Sequence, residues 1–239
     1  PFRPGKGTAV DFYFLYLDNA NRVAQQGLAR APYNVHTIGS RFAGDQNGFL
    51  WDFEGAIQLG ERGQKDIIAG MATAGLGYNF ASVPMNPSFW IYYDYASGTR
   101  NTSGGTSSTF NQLFAFGHYY LGWADQVGRQ NINDLNANVT LYPANWVNLQ
   151  LQYHHFWLDS ATDALYNAAG NAIRRSATGA AGKNVGDEFD LLVNFHLTKH
   201  SDLLFGYSYL FGGSFLKNTA GSTGSSNMST TYLQYSYRW

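Results

Sequence analysis

The stretch Thr231–Trp239, TYLQYSYRW, alternates without a break. Thr231, Leu233, Tyr235, Tyr237 and Trp239 fall on one face of an extended chain, and Tyr232, Gln234, Ser236 and Arg238 on the other. Successive side chains of a β-strand point to opposite faces, so a period of two with one apolar side marks a strand between two different environments. The same signature recurs upstream. In Gly186–Leu197, Phe189, Leu191, Val193, Phe195 and Leu197 oppose Glu188, Asp190, Asn194 and His196. In Trp146–Trp157, Val147, Leu149, Leu151, Tyr153 and Trp157 oppose Asn148, Gln150, Gln152 and His154. Asp134–Leu141 sets Leu135, Ala137, Val139 and Leu141 against Asp134, Asn136, Asn138 and Thr140. Gly48–Leu59 sets Trp51, Phe53, Ile57 and Leu59 against Asp52, Glu54 and Gln58. Thr8–Leu17, Val35–Ala43, Ile67–Phe80, Ser88–Ala96 and Leu203–Phe211 are less regular strands; in Ser88–Ala96, Phe89, Ile91, Tyr93 and Tyr95 oppose Trp90, Tyr92 and Asp94. Ile67–Phe80, rich in Gly and Ala, does not disclose its faces.

Composition fits strands of this kind. Charged residues are 13% of the chain, against about a quarter in ordinary soluble domains. Aromatic residues are 17%. Mean hydropathy is nevertheless only −0.29, and no stretch approaches the roughly 20 apolar residues of a membrane-spanning helix. Strands with one face in lipid and the other in water produce this combination, because the average hides the apolar face. A net charge of −1 leaves no basic footprint for nucleic acid. Cysteine is absent, in keeping with many envelope proteins. The chain opens Pro-Phe-Arg-Pro, with neither Met nor a signal peptide, which predicts a processed, trimmed or partial chain.

The pattern yields about ten strands of roughly nine to thirteen residues, the length that crosses a bilayer when tilted. The links between them alternate in length. Gly44–Gly48, Ser82–Pro87, Pro143–Asn145 and Thr198–Ser201 are short. Asn19–Ala31, Ser97–Gly128, Ser160–Val185 and Gly213–Asn227 are long or polar, with Gly60–Lys65 a shorter exception. Outer-membrane barrels have short periplasmic turns and longer external loops. With Trp239 on the periplasmic side, every short link lands there and every long one outside. A soluble β-sandwich also alternates, but its strands average about five or six residues and its loops need not segregate by length. The expected fold is all-β: a transmembrane antiparallel up-and-down β-barrel in the bacterial outer membrane, with residues 1–239 as one domain.

Several strings carry a closer resemblance. They are DFYFLYLD at Asp11–Asp18, Thr37–Gly44 with its Arg41, WDFEGAIQL at Trp51–Leu59 and YYDYASG at Tyr92–Gly98. NQLF at Asn111–Phe114 follows, then His118 with Gly122 and Asp125, Tyr153–Asp159, GDEFD at Gly186–Asp190 and LLFGYSYLFGGSF at Leu203–Phe215. In this order they resemble the alginate-export family of outer-membrane proteins. The resemblance implies a full barrel of about eighteen strands, with this chain aligned to its C-terminal half. Either N-terminal strands are missing or the chain is a compact relative. It also implies passage of an anionic polysaccharide through an Arg- and Lys-rich constriction. The residues of lumen parity are mixed here: Arg41 and Arg238, but also Asp11, Asp52, Glu54, Asp94, Glu188 and Asp190. A general small-solute or oligosaccharide channel is the alternative.

Rings of charge tune a pore because its wall replaces bulk water around the passing solute. Arg41, Glu54, Asp94, Glu188, Asp190 and Arg238 are the expected pore-lining and selectivity residues. Their competing role is to pair across neighbouring strands and stiffen the barrel, which a narrow, filled interior favours. Trp90, Tyr92 and Tyr119 are the sugar-stacking candidates, although Tyr and Trp also form the girdles at both membrane interfaces. Arg174 and Arg175, in a long loop, would meet lipopolysaccharide phosphates, a partner or solvent. No cofactor and no metal are called for. The expected partners are outer-membrane lipid, small solutes or an oligo- or polysaccharide, and a periplasmic protein, with no nucleic acid.

Two other classes compete with a passive channel. A structural barrel would anchor or sheathe a partner protein and would not conduct. An outer-membrane hydrolase would need Ser, His and an acid in contact. His154 and His155 are consecutive and point to opposite faces, so only His154 shares the polar side. His196 lies on the next strand's polar face, and Ser208 is the nearby hydroxyl. No motif supports this chemistry, and the expectation is not an enzyme but an outer-membrane channel or porin. Its special case is export of an anionic polysaccharide such as alginate.

Overall fold

The structure, a computed structural model, describes residues 2–5, 7–23, 31–114, 117–219 and 226–239. The expected loops Asn19–Ala31 and Gly213–Asn227 therefore fall partly outside the described residues. In chain order the strands are β1 (Phe2–Gly5), β2 (Thr8–Val23), β3 (Ala31–Gln46), β4 (Phe49–Arg62), β5 (Lys65–Asn79), β6 (Ser88–Ala96) and β7 (Thr106–Ser107). After helix α1 (Gly117–Tyr120) come β8 (Ile132–Ala144), β9 (Val147–Leu158), β10 (Ala164–Tyr166), β11 (Ala172–Arg175), β12 (Asn184–Thr198) and β13 (Ser201–Gly212), then helix α2 (Ser214–Thr219) and β14 (Met228–Tyr237). One antiparallel sheet runs β1-β2-β3-β4-β5-β6-β8-β9-β12-β13-β14, so chain neighbours are sheet neighbours and the topology is up-and-down. Strand β7 adds a short parallel pairing on β5, and β10 and β11 form a separate hairpin.

Register fixes which residues share a face. Arg41 pairs with Glu54, Glu54 with Thr73 and Thr73 with Asp94. The same ring continues through Asp94–Asp134, Asn136–His154, His154–Glu188 and Asp190–Ser208. One strip of polar side chains thus crosses the sheet on its inner face. Glu188, Gln58 and Asp134 have 0% of their surface exposed, whereas Phe12 is 80% exposed and Leu233 68%. A soluble protein buries its large apolar residues and leaves carboxylates in water. Here the arrangement is inverted, and apolar side chains cover the outside of a transmembrane barrel whose inside is polar.

Every strand expected from the alternation is present, and β6 matches its expected limits at both ends. Most of the others extend further, as β3 does at Ala31–Gln46, whereas β9 is shifted by one residue to Val147–Leu158 and β14 begins earlier, at Met228, and stops at Tyr237, short of Trp239. The face of β5 that the sequence left open resolves as Ile67, Ala69 and Met71 inward and Ile68 and Leu76 outward. Both faces are apolar because the inner one is covered by protein at this level and the outer one by lipid. The link between β3 and β4 is the pair Asn47–Gly48, both at positive φ, 53° and 87°. Those angles are the type I′ turn whose twist matches that of paired strands, and Asn-Gly is its preferred sequence.

Two belts of outward aromatics mark the levels where the wall meets the headgroups. At the short-turn end, Phe49 packs edge-on against Tyr78, and Phe42 lies beside Trp51. At the other end, Tyr16 stacks on His36 and Tyr93 on Trp157. The chain contains no cysteine, so single labels report topology cleanly. Thr178 lies in the β11–β12 link and Asn145 in the β8–β9 turn, both exposed. Cysteine at Thr178 is expected to react with an impermeant maleimide on intact cells, and cysteine at Asn145 only after the outer membrane is permeabilised; the reverse order of labelling would invert the assigned topology.

Candidate functional site

Residues 97–131 link β6 to β8, and the described residues of their central part do not project into solvent as expected of an external loop. This segment folds back into the barrel. The reason is in its composition: Phe110, Leu121, Trp123 and Val127 are too apolar for a solvated loop, and all four are buried. Phe110, Leu121 and Val127 join the inner residues Val35, Ile67, Met71, Ile132, Phe156 and Leu158 in one apolar cluster, to which Leu165 and Phe215 contribute from other links. The half of the interior at the long-loop end is thus a packed core.

Polar contacts set the segment's height and orientation. Gln58 accepts from the backbone N–H of Asn111 at 2.7 Å and donates to its carbonyl at 2.8 Å, imitating a strand partner. Glu188 accepts from the N–H of Ala124 at 2.8 Å. Gly122, at φ 84°, lies so close to the Glu188 carboxylate that a Cβ there would displace it. Trp123 stacks between His118 and Tyr232, with centroid distances of 4.5 Å and 5.4 Å. Arg129 reaches the wall from the segment's end: its guanidinium is 2.8 Å from Asp94 and donates to Thr73 Oγ1 at 2.9 Å.

The outer links are stitched to this segment. Asp163 accepts from the N–H of Thr99 and Ala164 and from the hydroxyls of Thr109 and Tyr166, at 2.5–2.9 Å. Burial raises its carboxyl above the ordinary range, while those donors pull it back down. Burial and the adjacent Asp163 in turn raise the Tyr166 phenol. Asn131, at φ 52°, donates to the carbonyls of Ser160 and Ala164. Arg174 donates to the carbonyl of Thr219, and Arg175 to Thr162 and Thr102. Both arginines thus tie loop to loop.

Beneath the segment, Asp134 meets His154 Nδ1 at 2.8 Å, and His154 Nε2 lies 3.8 Å from Asp190. Beyond this layer a cavity of about 460 Å³ occupies the short-turn half of the lumen. Arg41, Glu54, Asp94, Trp90, Tyr92 and Tyr119, drawn from separate stretches of sequence, all line it. Arg41 is held by Asp52 through two hydrogen bonds of 2.7 Å and 2.8 Å, and Glu54 accepts from Tyr13 Oη at 2.6 Å. Trp90 and Tyr92 stack side by side with centroids 5.0 Å apart. Glu188 and Asp190 do not join the cavity; they are buried beside the inserted segment. Arg238 lies past the end of β14, 81% exposed and 4.0 Å from Asp202, at the rim. Ser208 faces Asp190 across the β12–β13 pair, and His196 is held by Asp202 at the far end of β12, so no hydroxyl–imidazole contact forms between them. Arg129 and Tyr120, which also line the cavity, were not singled out from sequence. The available signal was the density of His, Tyr and Trp between His118 and Trp123, unusual for a solvated loop.

A profile of the alginate export family matches residues 2–229. The chain belongs to the alginate export family. Among solved structures, the porin NanC in a rhombohedral crystal form is similar, with a TM-score of 0.46, 13% identity and 98% of each chain covered. Comparison with curated protein sequences gives no match. As an alginate export family protein it is an outer-membrane channel or porin, and its apolar exterior faces the lipid of the bacterial outer membrane.

The two buried networks of this alginate export family protein make separate predictions. Arg129→Ala leaves Asp94 buried without its cation, so stability against urea in lipid vesicles is expected to fall by about 3–5 kcal/mol, and removing Asp94 as well should recover part of the loss. Asp163→Ala strands four donors in the outer links, each costing about 1–3 kcal/mol when left unsatisfied. Protease added to intact cells should then cut those links faster, with the barrel's unfolding midpoint changed far less; an unchanged cleavage rate would count against the stitched-loop account.

Proposed function

We propose that this protein is a passive channel for hydrophilic solutes, with a path that enters at the short-turn end, crosses the cavity and passes the inserted segment. The observation that carries the reading is the polar cavity of about 460 Å³ inside a wall whose outer face is apolar. Movement through it follows the solute gradient, or a direction supplied by a periplasmic protein. Arg41, Glu54 and Asp94 set the charge met on the way. Glu188 and Asp190 act on the path indirectly, by seating the segment.

Export of alginate, for which the family is named, is the second reading. A polyanion needs a wall with surplus positive charge. In this cavity two guanidiniums, Arg41 and Arg129, stand among three carboxylates, Asp52, Glu54 and Asp94. That balance favours uncharged or weakly charged solutes. The packed outer half of the lumen is what a structural barrel would also display, and conductance separates the two.

Planar-bilayer recording of the purified protein is expected to give small current steps with a weak preference for cations, insensitive to polymannuronate. Substituting Arg129→Ala, which frees one end of the inserted segment, should raise the step size. Anion-selective current blocked by polymannuronate would instead establish the alginate reading, with Arg41 as the first residue to replace. Absence of current from both proteins would leave the barrel as an anchor.

A further inference from the structure

The cavity wall is not uniform around its circumference. Trp90 and Tyr92 alternate along the inner face of β6, and their rings lie nearly parallel, 18° apart. They can lie flat because β5 presents glycine beneath them. A Cβ at Gly75 would run into the Tyr92 ring, and one at Gly77 into that of Trp90. The two rings overlap as an offset stack against this glycine backbone, and the pair as a whole lines the cavity. Tyr119 and Tyr120, carried by α1 at the same cavity, are about half exposed.

The next strands bring a different chemistry. Asn136 and Asn138 on β8 and Gln150 and Gln152 on β9 line the same cavity, paired in register as Asn138–Gln152 and flanked by Thr140–Gln150. Asn138 donates to Asn136 at 3.2 Å, while its own Oδ1 has no hydrogen-bond partner among the described residues. A ledge made by one stacked aromatic pair, beside a ladder of neutral amides, matches one class of ligand. A pyranose ring has an apolar C–H face that packs on an aromatic ring, and an equator of hydroxyls that both donate and accept. Amides also do both, which carboxylates and guanidiniums do not. The cations that could recognise a uronate are already engaged, Arg41 bidentately by Asp52 and Arg129 by Asp94.

We infer that the Trp90–Tyr92 ledge and the adjoining amide ladder form a binding subsite for a neutral oligosaccharide in the channel. This rests on the lumen being the solute path, and it narrows the solute to uncharged sugars. The rings supply affinity through stacking, and the amides select hydroxyls over carboxylates.

The test is binding of cellohexaose and of a mannuronate hexamer to the full chain in detergent, by titration calorimetry, beside bilayer recording with the same two sugars. Cellohexaose should bind, and the mannuronate hexamer should bind at least about ten-fold more weakly. Trp90→Ala with Tyr92→Ala should weaken cellohexaose by about ten-fold, the scale of one lost aromatic stacking partner. Trp90→Phe with Tyr92→Phe, which keeps flat rings over Gly75 and Gly77, should retain binding and so exclude simple misfolding. Preference for mannuronate, or equal binding by the alanine and phenylalanine variants, would overturn the subsite. Conductance without cellohexaose binding would overturn it too while leaving the channel intact. Binding without conductance would uphold the subsite and remove the channel reading.

Discussion

A chain that crosses a bilayer as strands must satisfy every backbone N–H and C=O by pairing with other strands, because the hydrocarbon offers no partner. The unbroken antiparallel order from β1 to β14 meets that demand for the strands between those two. It also imposes the side-chain rule. Once the ladders are formed, alternate residues have no choice but to face lipid or lumen. Phe12, Ile57, Phe189 and Leu233 are exposed, and Gln58, Asp134 and Glu188 buried, for that single reason. The two aromatic belts follow from the same geometry, since the ends of each strand reach the levels where an amphipathic ring is best placed.

The lumen then poses the opposite difficulty. Carboxylates directed inward must be hydrated or paired, since an isolated buried charge is costly. The protein divides the solution along the barrel. In the outer half, inward apolar residues of the strands pack against the segment between β6 and β8, and Glu188 takes the backbone N–H of Ala124. In the inner half the space remains open and its charges neutralise one another laterally, as Arg41 and Asp52 do.

The legibility of the sequence divides along the same line. Alternation is a local property, so Asp134–Leu141 and Thr231–Trp239 disclosed both strand and face, and the pore parity of Arg41, Glu54 and Asp94 came with them. Ile67–Phe80 did not, because burial by protein on one side and lipid on the other erases the contrast that alternation depends on. The inward fold of the β6–β8 link escaped for a different reason. Its contacts join residues far apart in the chain, such as Gln58 with Asn111 and Trp123 with Tyr232, and no local pattern announces them. Glu188 and Asp190 were correctly read as inward, but whether an inward acid meets water or a peptide N–H depends on that non-local choice. Arg129 belongs to the same case.

The inserted segment contacts β4 and β5, which precede it, and β12 and β14, which follow it. Strands that lie far apart in the chain and do not pair in the sheet are thus joined through the lumen. The segment is a cross-brace: a change in β12 or β14 reaches β4 and β5 across the interior without travelling along the ladders.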